Sequence, residues 1–350
     1  MNHQYYNVLG VMSGTSLDGV DIAHVQLVRE KQWTFTICNA VCIPYSALWK
    51  RRLSQAVHSS SLEIENLNKE YTLYLGQLVK NYLDQNPIED LIAVCSHGHT
   101  IFHKPEQGYT LQIGNLPEIA SIIGHRVVCD FRVQDILFGG QGAPLVPIGD
   151  QLLFKDYDYC LNLGGFANIS HDSLDGRIAY DICPVNTVLN HFSLLLGKEY
   201  DEDGAFAKAG KVQTHLLDKL NDIPYYGMNP PKSLGIEWVN QYVFPLLQNY
   251  DIKDVLATFV EHVAIQISKV ITSKKRIICT GGGAFNTYLM DRIRYHYDGD
   301  LVIPESKIVE YKEALIFGLL GVLRLRNQVN CLSSVTGSRH DHSSGQIYLP

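Results

Sequence analysis

The chain alternates between short apolar runs that end on glycines and longer stretches with apolar residues at helical spacing. "YNVLGVM" is a near-continuous apolar run that enters "GVMSGTSLDGVD", Gly10 to Asp21, and "VDIAHVQLV" follows it. A strand, a glycine-rich turn and a return strand make a hairpin. From Ala47 to Gln85 the apolar residues recur at i, i+3 and i+4, which predicts helix. "LIAVCSHGHT" and "RVVCDFR" read as further strands. After "FGGQGAPLVPIGD" the opening scheme returns. "YDYCLNLGG" is a strand, "FANISHDS" follows its glycines, and "GRIAYDICP" is another strand.

Helices are expected over roughly 186–197, 204–220 and 236–273. "KRIICTGGGAFNTYLMDRIRYHY" then gives strand, triple glycine and helix, and "YKEALIFGLLGVLRLRN" is a last apolar helix. Strands alternating with helices predict an α/β fold. Two halves that each open with a glycine hairpin predict an internally duplicated, two-lobed protein. The expected lobes are 1–149 and 150–350, with the last helix able to pack back on the first.

With 350 residues and 46% apolar content the chain can form two cores. Its net charge of −7, without a basic face, argues against nucleic acid as partner. No apolar run approaches the ~20 residues of a membrane span, and the first residues lack a secretory pattern. The eight cysteines are scattered without a Cys-x-x-Cys pair, the usage of reduced thiols in the cytoplasm.

The glycine loops carry the candidate chemistry. Backbone N–H groups bind anions where glycine lets the chain curl around them. Gly14, Thr15 and Ser16 offer such groups, and Thr15 and Ser16 add hydroxyls. Asp18 and Asp21 would repel a phosphate unless a Mg²⁺ lay between, since Mg²⁺ takes carboxylates, waters and phosphates together. A plain hairpin turn is the alternative. There is no G-x-x-x-x-G-K-[ST] loop, and "GGGAFN" is not G-x-G-x-x-G, so neither a P-loop nor a Rossmann site is indicated. Three glycine turns at strand ends suit a nucleotide in a cleft. Gly14 to Asp21 (with Leu17, Gly19 and Val20) and Gly164-Gly165 would lie at the phosphates, and Gly281, Gly282 and Gly283 at the adenosine.

"GVMSGTSLDGVD", "HGHTIFH", "CDFRVQDILFGGQGAPLVP", "NLGGFANIS", "DVLATFVEHVA", "GGGAFN" and "SVTG" together resemble the anhydro-N-acetylmuramic acid kinases of the actin-like, hexokinase-like ATPase superfamily. The resemblance spans residue 8 to about residue 349. It implies two ribonuclease-H-like lobes around an ATP cleft, a homodimer, and an ATP- and Mg²⁺-dependent kinase. The implied reaction opens 1,6-anhydro-N-acetylmuramic acid with water and phosphorylates O6, an intermediate step of cell-wall recycling. It also implies roles for single residues. Asp181 in "AYDICPVN" would be the base that activates water, although Ile182, Cys183 and Val185 replace small residues of the family motif. Arg132 in "DFR" would meet the sugar's carboxylate, with Asp130 to orient it. Glu313 and His97 would face the sugar, and Asp18 would hold Mg²⁺ through water. Lys232 would reach a phosphate or cap a proline turn.

His97, His99 and His103 also have the look of a zinc set, but the family has glutamine at 99, so hydrogen bonding is the expected role. The altered Asp181 loop leaves a second reading, a homologue that binds nucleotide or anhydro-sugar without turnover, as a sensor. An ordinary sugar or acyl-phosphate kinase of the same superfamily is a third.

Overall fold

A computed structural model describes residues 4–14 and 16–350. The chain forms two compact units. One comprises Met1–Leu153 and Tyr311–Pro350, the other Phe154–Glu310. The second lobe was expected over 150–350, with the last helix able to pack back on the first; residues 311–350 do group with the first unit, so the second unit is an insertion within the first.

The first unit holds β1 (Gln4–Ser13), β2 (Gly19–Arg29), β3 (Trp33–Pro44), β4 (Leu91–Lys104), β5 (Tyr109–Ile113) and β6 (Val127–Cys129). The second holds β7 (Tyr159–Leu163), β8 (Phe166–Ser173), β9 (Gly176–Pro184), β10 (Arg276–Thr280) and β11 (Asp300–Val302), and β12 (Gln346–Tyr348) closes the first sheet. The sheet orders are β12-β6-β4-β1-β2-β3, with β5 on β4, and β11-β10-β7-β8-β9. In each, three consecutive antiparallel strands are followed by strands added parallel to the first of them. That shared order, 3-2-1-4-5 within each unit, is the ribonuclease-H-like arrangement, and it establishes the duplicated α/β fold.

Each unit has its own core. In the first, Leu9, Val11, Val20 and Ile22 of the opening hairpin pack with Tyr71, Leu75 and Val79. The last three lie on the helix Ser61–Gln85, whose start is fixed by a reciprocal capping box between Ser60 and Glu63. In the second, Leu161, Ile169 and Val185 pack with Phe259, Val260 and Val263 of the helix Ile252–Val270. The helix Ser306–Leu325 is bent at Tyr311, where φ is −111°. Beyond that bend it crosses β1 so closely that a Cβ on Gly10 would lie 1.9 Å from the Ala314 carbonyl oxygen. Gly10 is therefore what allows the helix carrying Glu313 to seat on the strand that leads into the first glycine loop.

Three helical expectations are corrected. The stretch 47–85 breaks at Ser59-Ser60 into Ala47–Gln55, a short 3-10 turn and Ser61–Gln85. Residues 204–220 form two helices, Ala205–Ala209 and Thr214–Asn221. Residues 236–273 form short turns through Leu247 and then a separate helix from Ile252. Asn249 adopts a positive φ of 70° there, and the Asp251 side chain accepts the Lys253 N–H to start the new helix. The strands β3, β5, β11 and β12 were not anticipated. Among the described residues no helix is long and apolar enough to cross a membrane, and the eight cysteines are free thiols.

Candidate active site

In the first unit β1, β4 and β6 run parallel, so their carboxyl ends share one edge of the sheet. Such an edge is where ligands bind in open α/β sheets. Ser13 ends β1, His97 and His99 lie on β4, and Arg132 follows β6 by three residues. The loop after β1 divides into two parts. Gly14 is open, with no atom nearer than 3.5 Å to an added Cβ, and Ser16 and Asp18 are exposed. Leu17 takes a positive φ of 62° and its N–H lies 3.4 Å from the Gly14 carbonyl, which closes the turn. Gly19 and Val20 already belong to β2. An added Cβ at Gly19 would meet the Ile43 carbonyl at 2.4 Å, and Val20 is fully buried. Thr15 lies outside the described residues. The exposed residues of this loop are thus Ser16 and Asp18, beside the open backbone of Gly14, while Asp21 already belongs to β2.

Arg132 and Asp21 both act on Glu313. Burial pushes the Glu313 carboxyl up from its ordinary value, the Arg132 guanidinium pulls it down, and the charge of Asp21 pushes it up again. Arg132 donates from Nε to His97 Nε2 at 2.9 Å and from Nη1 to the Gly142 carbonyl at 2.8 Å. His97 must therefore carry its proton on Nδ1, 2.9 Å from the Gly98 carbonyl oxygen. Burial and the adjacent guanidinium hold it well below the usual histidine range. The structure thus brings His97, Arg132 and Glu313 together. Asp130 is not the group that orients Arg132; its carboxylate accepts the Val133 N–H instead.

The three histidines do not converge as a metal set. His99 Nδ1 bonds Ser13 Oγ at 2.8 Å and His103 Nδ1 bonds Thr110 Oγ1 at 3.2 Å. Ser13 Oγ also lies 2.6 Å from Tyr45 Oη, which in turn bonds Tyr71. A buried chain of hydroxyls and imidazole therefore anchors the end of β1, with His99 lowered to about 4 by burial.

In the second unit the parallel strands are β7 and β10, and glycines follow both. Gly165 accepts the N–H groups of Val185 at 2.8 Å and Thr187 at 3.1 Å, and Gly164 accepts that of Asn186 at 3.3 Å. Asn186 Nδ2 returns a bond to the Leu163 carbonyl at 3.3 Å. The turn after β7 is thus clasped by the start of the helix Asn186–Leu195. Gly281 has φ +82°, and an added Cβ there would lie 2.7 Å from Asn162 Oδ1. At Gly283 the same atom would lie 2.8 Å from Leu163 Cβ. Gly282 is open, its nearest neighbour being Asn186 Nδ2 at 3.9 Å. The glycines after β10 therefore let that turn lie directly against the turn after β7.

Asp181 sits on β9 opposite Asn168, beside a bulge in β9 at Ile182. Its Oδ2 accepts the Leu234 N–H at 2.9 Å, its own N–H donates to the Lys232 carbonyl at 3.2 Å, and Tyr225 Oη donates to its carbonyl at 2.8 Å. Burial raises its carboxyl above the ordinary value, and the Leu234 bond partly offsets this. Lys232 Nζ donates to the Tyr225 carbonyl at 3.2 Å and lies 4.7 Å from that ring's centroid. It locks the segment that grips Asp181. Ile182, Cys183 and Val185, the departures from the family motif, are all buried in the core. Tyr225 and Leu234 escaped sequence reasoning, because nothing local marks residues more than forty positions from Asp181 as its partners.

Residues 6–350 match the family model for anhydro-N-acetylmuramic acid kinase. Curated relatives bearing that name cover the chain from end to end. One from Saccharophagus degradans is 34% identical, with 98% of each chain covered. One from Pasteurella multocida is 33% identical over 98% of this chain and 96% of its own, and one from Pseudomonas syringae pv. tomato is 34% identical over 97% and 98%. Two duplicated sheets, glycine turns at the ends of their parallel strands and a match along almost the whole sequence lead to one conclusion: the chain belongs to the anhydro-N-acetylmuramic acid kinase family.

Proposed function

We propose that this chain is an ATP-dependent kinase that opens 1,6-anhydro-N-acetylmuramic acid with water and phosphorylates O6, giving N-acetylmuramic acid 6-phosphate in peptidoglycan recycling. Family membership supports the reaction. The observation that carries the residue assignment is the grip on Asp181, a half-buried carboxylate near the end of β9 that Leu234 orients. In the anhydro-sugar O6 is bridged to C1 and has no proton to lose. Water must attack C1 while the C1–O6 bond breaks and O6 takes the γ-phosphoryl group. Asp181 accepts the proton of that water. Its raised affinity for protons makes it a stronger base than an exposed aspartate. The burial of Ile182, Cys183 and Val185 favours turnover over a sensor role, because these side chains serve the core rather than the sugar.

Arg132, held flat by His97 and Gly142, presents the planar cation suited to the lactyl carboxylate. Glu313 lies beside it to accept hydroxyl protons of the sugar. Each unit has glycine turns at the ends of its parallel strands that suit phosphate or nucleotide, Gly14 with Ser16 and Asp18 in the first and Gly164-Gly165 with Gly281–Gly283 in the second; backbone at Gly14 and Gly282 is open to a ligand. Exposed Asp18 fits an outer-sphere ligand to Mg²⁺, which would supply charge neutralisation at the phosphates. A cytoplasmic homodimer is the setting that the family resemblance implies.

The test is incubation with ATP, Mg²⁺ and the anhydro-sugar in ¹⁸O-water. Mass spectrometry of promptly quenched product should find the 6-phosphate with label at C1. A 6-phosphate without label would overturn the water attack, and no phosphorylated sugar would overturn the kinase assignment.

A further inference from the structure

We infer that Asp135, Cys331 and His342 form a binding site for a zinc-type divalent metal inside the first unit, separate from the groups assigned to sugar and nucleotide. Asp135 lies on the short helix Val133–Leu137, which follows Arg132. Cys331 and His342 face each other as an isolated antiparallel bridge. One ligand atom from each of the three residues lies within 4.8 Å of the others, and all three residues are buried. Cys331 donates its thiol to Asp135 Oδ1 at 3.1 Å, the bond that a metal would replace, and His342 Nε2 is 3.6 Å from the same oxygen. Tetrahedral zinc with bonds of about 2.0–2.3 Å spaces its donor atoms about 3.3–3.7 Å apart, so the histidine spacing fits as it stands and the thiol would move out by a few tenths of an ångström.

The imidazole supplies the independent sign. His342 Nδ1 lies 3.1 Å from the His340 carbonyl, which can only accept, so Nδ1 carries the proton. Nε2 is then a bare lone pair. It is buried, makes no hydrogen bond, and points at a carboxylate oxygen. Two electron-rich atoms cannot face each other in a buried site without a cation between them. A second proton on the ring would answer that contact alone; a metal would also use the thiol beside it. Imidazole with its other nitrogen on a carbonyl is the common second-sphere pattern of metal-bound histidine. A nitrogen, sulfur and oxygen donor set suits zinc and not Mg²⁺.

The surroundings are compatible. Thr336 Oγ1 donates to Asp135 Oδ1 at 2.8 Å and the Gly142 N–H to Oδ2 at 2.6 Å. A water would complete the fourth position. The Phe138 ring meets that of His342 edge to face, with centroids 4.9 Å apart. Asp341 adds negative charge near Cys331. Binding replaces the S–H bond of Cys331 by a metal–sulfur bond and releases one proton. The metal would staple the segment 331–342 to the loop that holds Arg132, because Gly142 bonds Asp135 through its N–H and Arg132 through its carbonyl.

The experiment uses the full chain as Cys38→Ser/Cys42→Ser, which removes the two exposed thiols. After removal of metals with a chelator it is titrated with Co²⁺ alone, then with Zn²⁺. The expected result is one Co²⁺ per chain with a thiolate-to-cobalt charge-transfer band, loss of that band on zinc addition, and release of one proton. The same titration of Cys331→Ser and His342→Gln should lose the band or weaken uptake at least tenfold. A folded protein that shows no thiolate-to-cobalt band overturns the proposal; an imidazolium at His342 in ¹⁵N NMR would then identify a buried ion pair. A band that persists in folded Cys331→Ser also overturns it. If the variants do not fold, the parent titration alone decides.

Discussion

Arg132 donates to a bare nitrogen of His97 at 2.9 Å, which fixes both the arginine fork and the histidine tautomer. Arg132 is half-buried, with Glu313 as a nearby negative charge. Lysine at 132 would keep a charge but lose the second bond, to Gly142, and the planar fork. Arg132→Lys should raise KM for the sugar by about tenfold to a hundredfold, the worth of a charge-assisted bond. KM for ATP should stay unchanged. Steady-state kinetics with each substrate varied in turn checks this, and an equal rise in both constants would place Arg132 outside the sugar site.

Asp181→Asn preserves size and can still accept the Leu234 N–H through its carbonyl oxygen, but loses basicity. Turnover should fall about 10²–10⁴-fold, with ATP affinity by calorimetry nearly constant. In the parent enzyme the base must be ionised. Because burial raises its carboxyl pKa, the acid limb of the kcat/KM profile should lie above the 3.8 of an ordinary aspartate. A variant that keeps most of its rate would move the base to another carboxylate, Glu313 first.

Asp18 is exposed in the turn after β1. As an outer-sphere metal partner its removal should weaken Mg²⁺-ATP binding by roughly 10–100-fold. Stability should change by less than about 0.5 kcal/mol, as at other exposed positions. Calorimetry and urea denaturation on Asp18→Ala separate the two. Unaltered affinity together with normal turnover would remove Asp18 from the nucleotide site.

His99 makes stability depend on pH. In the unfolded chain it takes a proton near 6.5, but in the folded one only near about 4. Between those values the unfolded state binds more protons, so stability is lost as pH falls from 6.5 toward 4 and is restored above 6.5. The slope from one such histidine is at most about 1.4 kcal/mol per pH unit. His99→Gln, which can still bond Ser13, should flatten the fall in urea midpoint between pH 7 and 5 while leaving kinase activity in place. An unchanged slope would show that His97 and His262, also lowered by burial, account for the acid sensitivity.

The sequence exposed the strands that end in glycine, because apolar runs and glycine turns are local signals. It hid β3, whose Trp33 and Ile37 are buried among mostly exposed neighbours at an irregular register opposite His24 and Val25. It hid β11 and β12, at three residues each too short to show a period. Asp181 and Arg132 became candidates through the local motifs that carry the family resemblance. Their partners were not. His97 lies 35 residues from Arg132, and Leu234 lies 53 from Asp181. Such pairs exist only once strand order is set. The same holds for Asp135 and Cys331, which are 196 positions apart.

The insertion of residues 154–310 between the two parts of the first unit has a consequence on the ribosome. The second unit is one continuous stretch and emerges complete while the first still lacks the helix that crosses Gly10 and the strand that pairs with β6. Domains usually fold in the order of synthesis; here the half that begins first finishes last. Until residues 311–350 are made, the β1–β4 edge has no cover from that helix, and this interval is when the nascent chain is most open to aggregation and to chaperones.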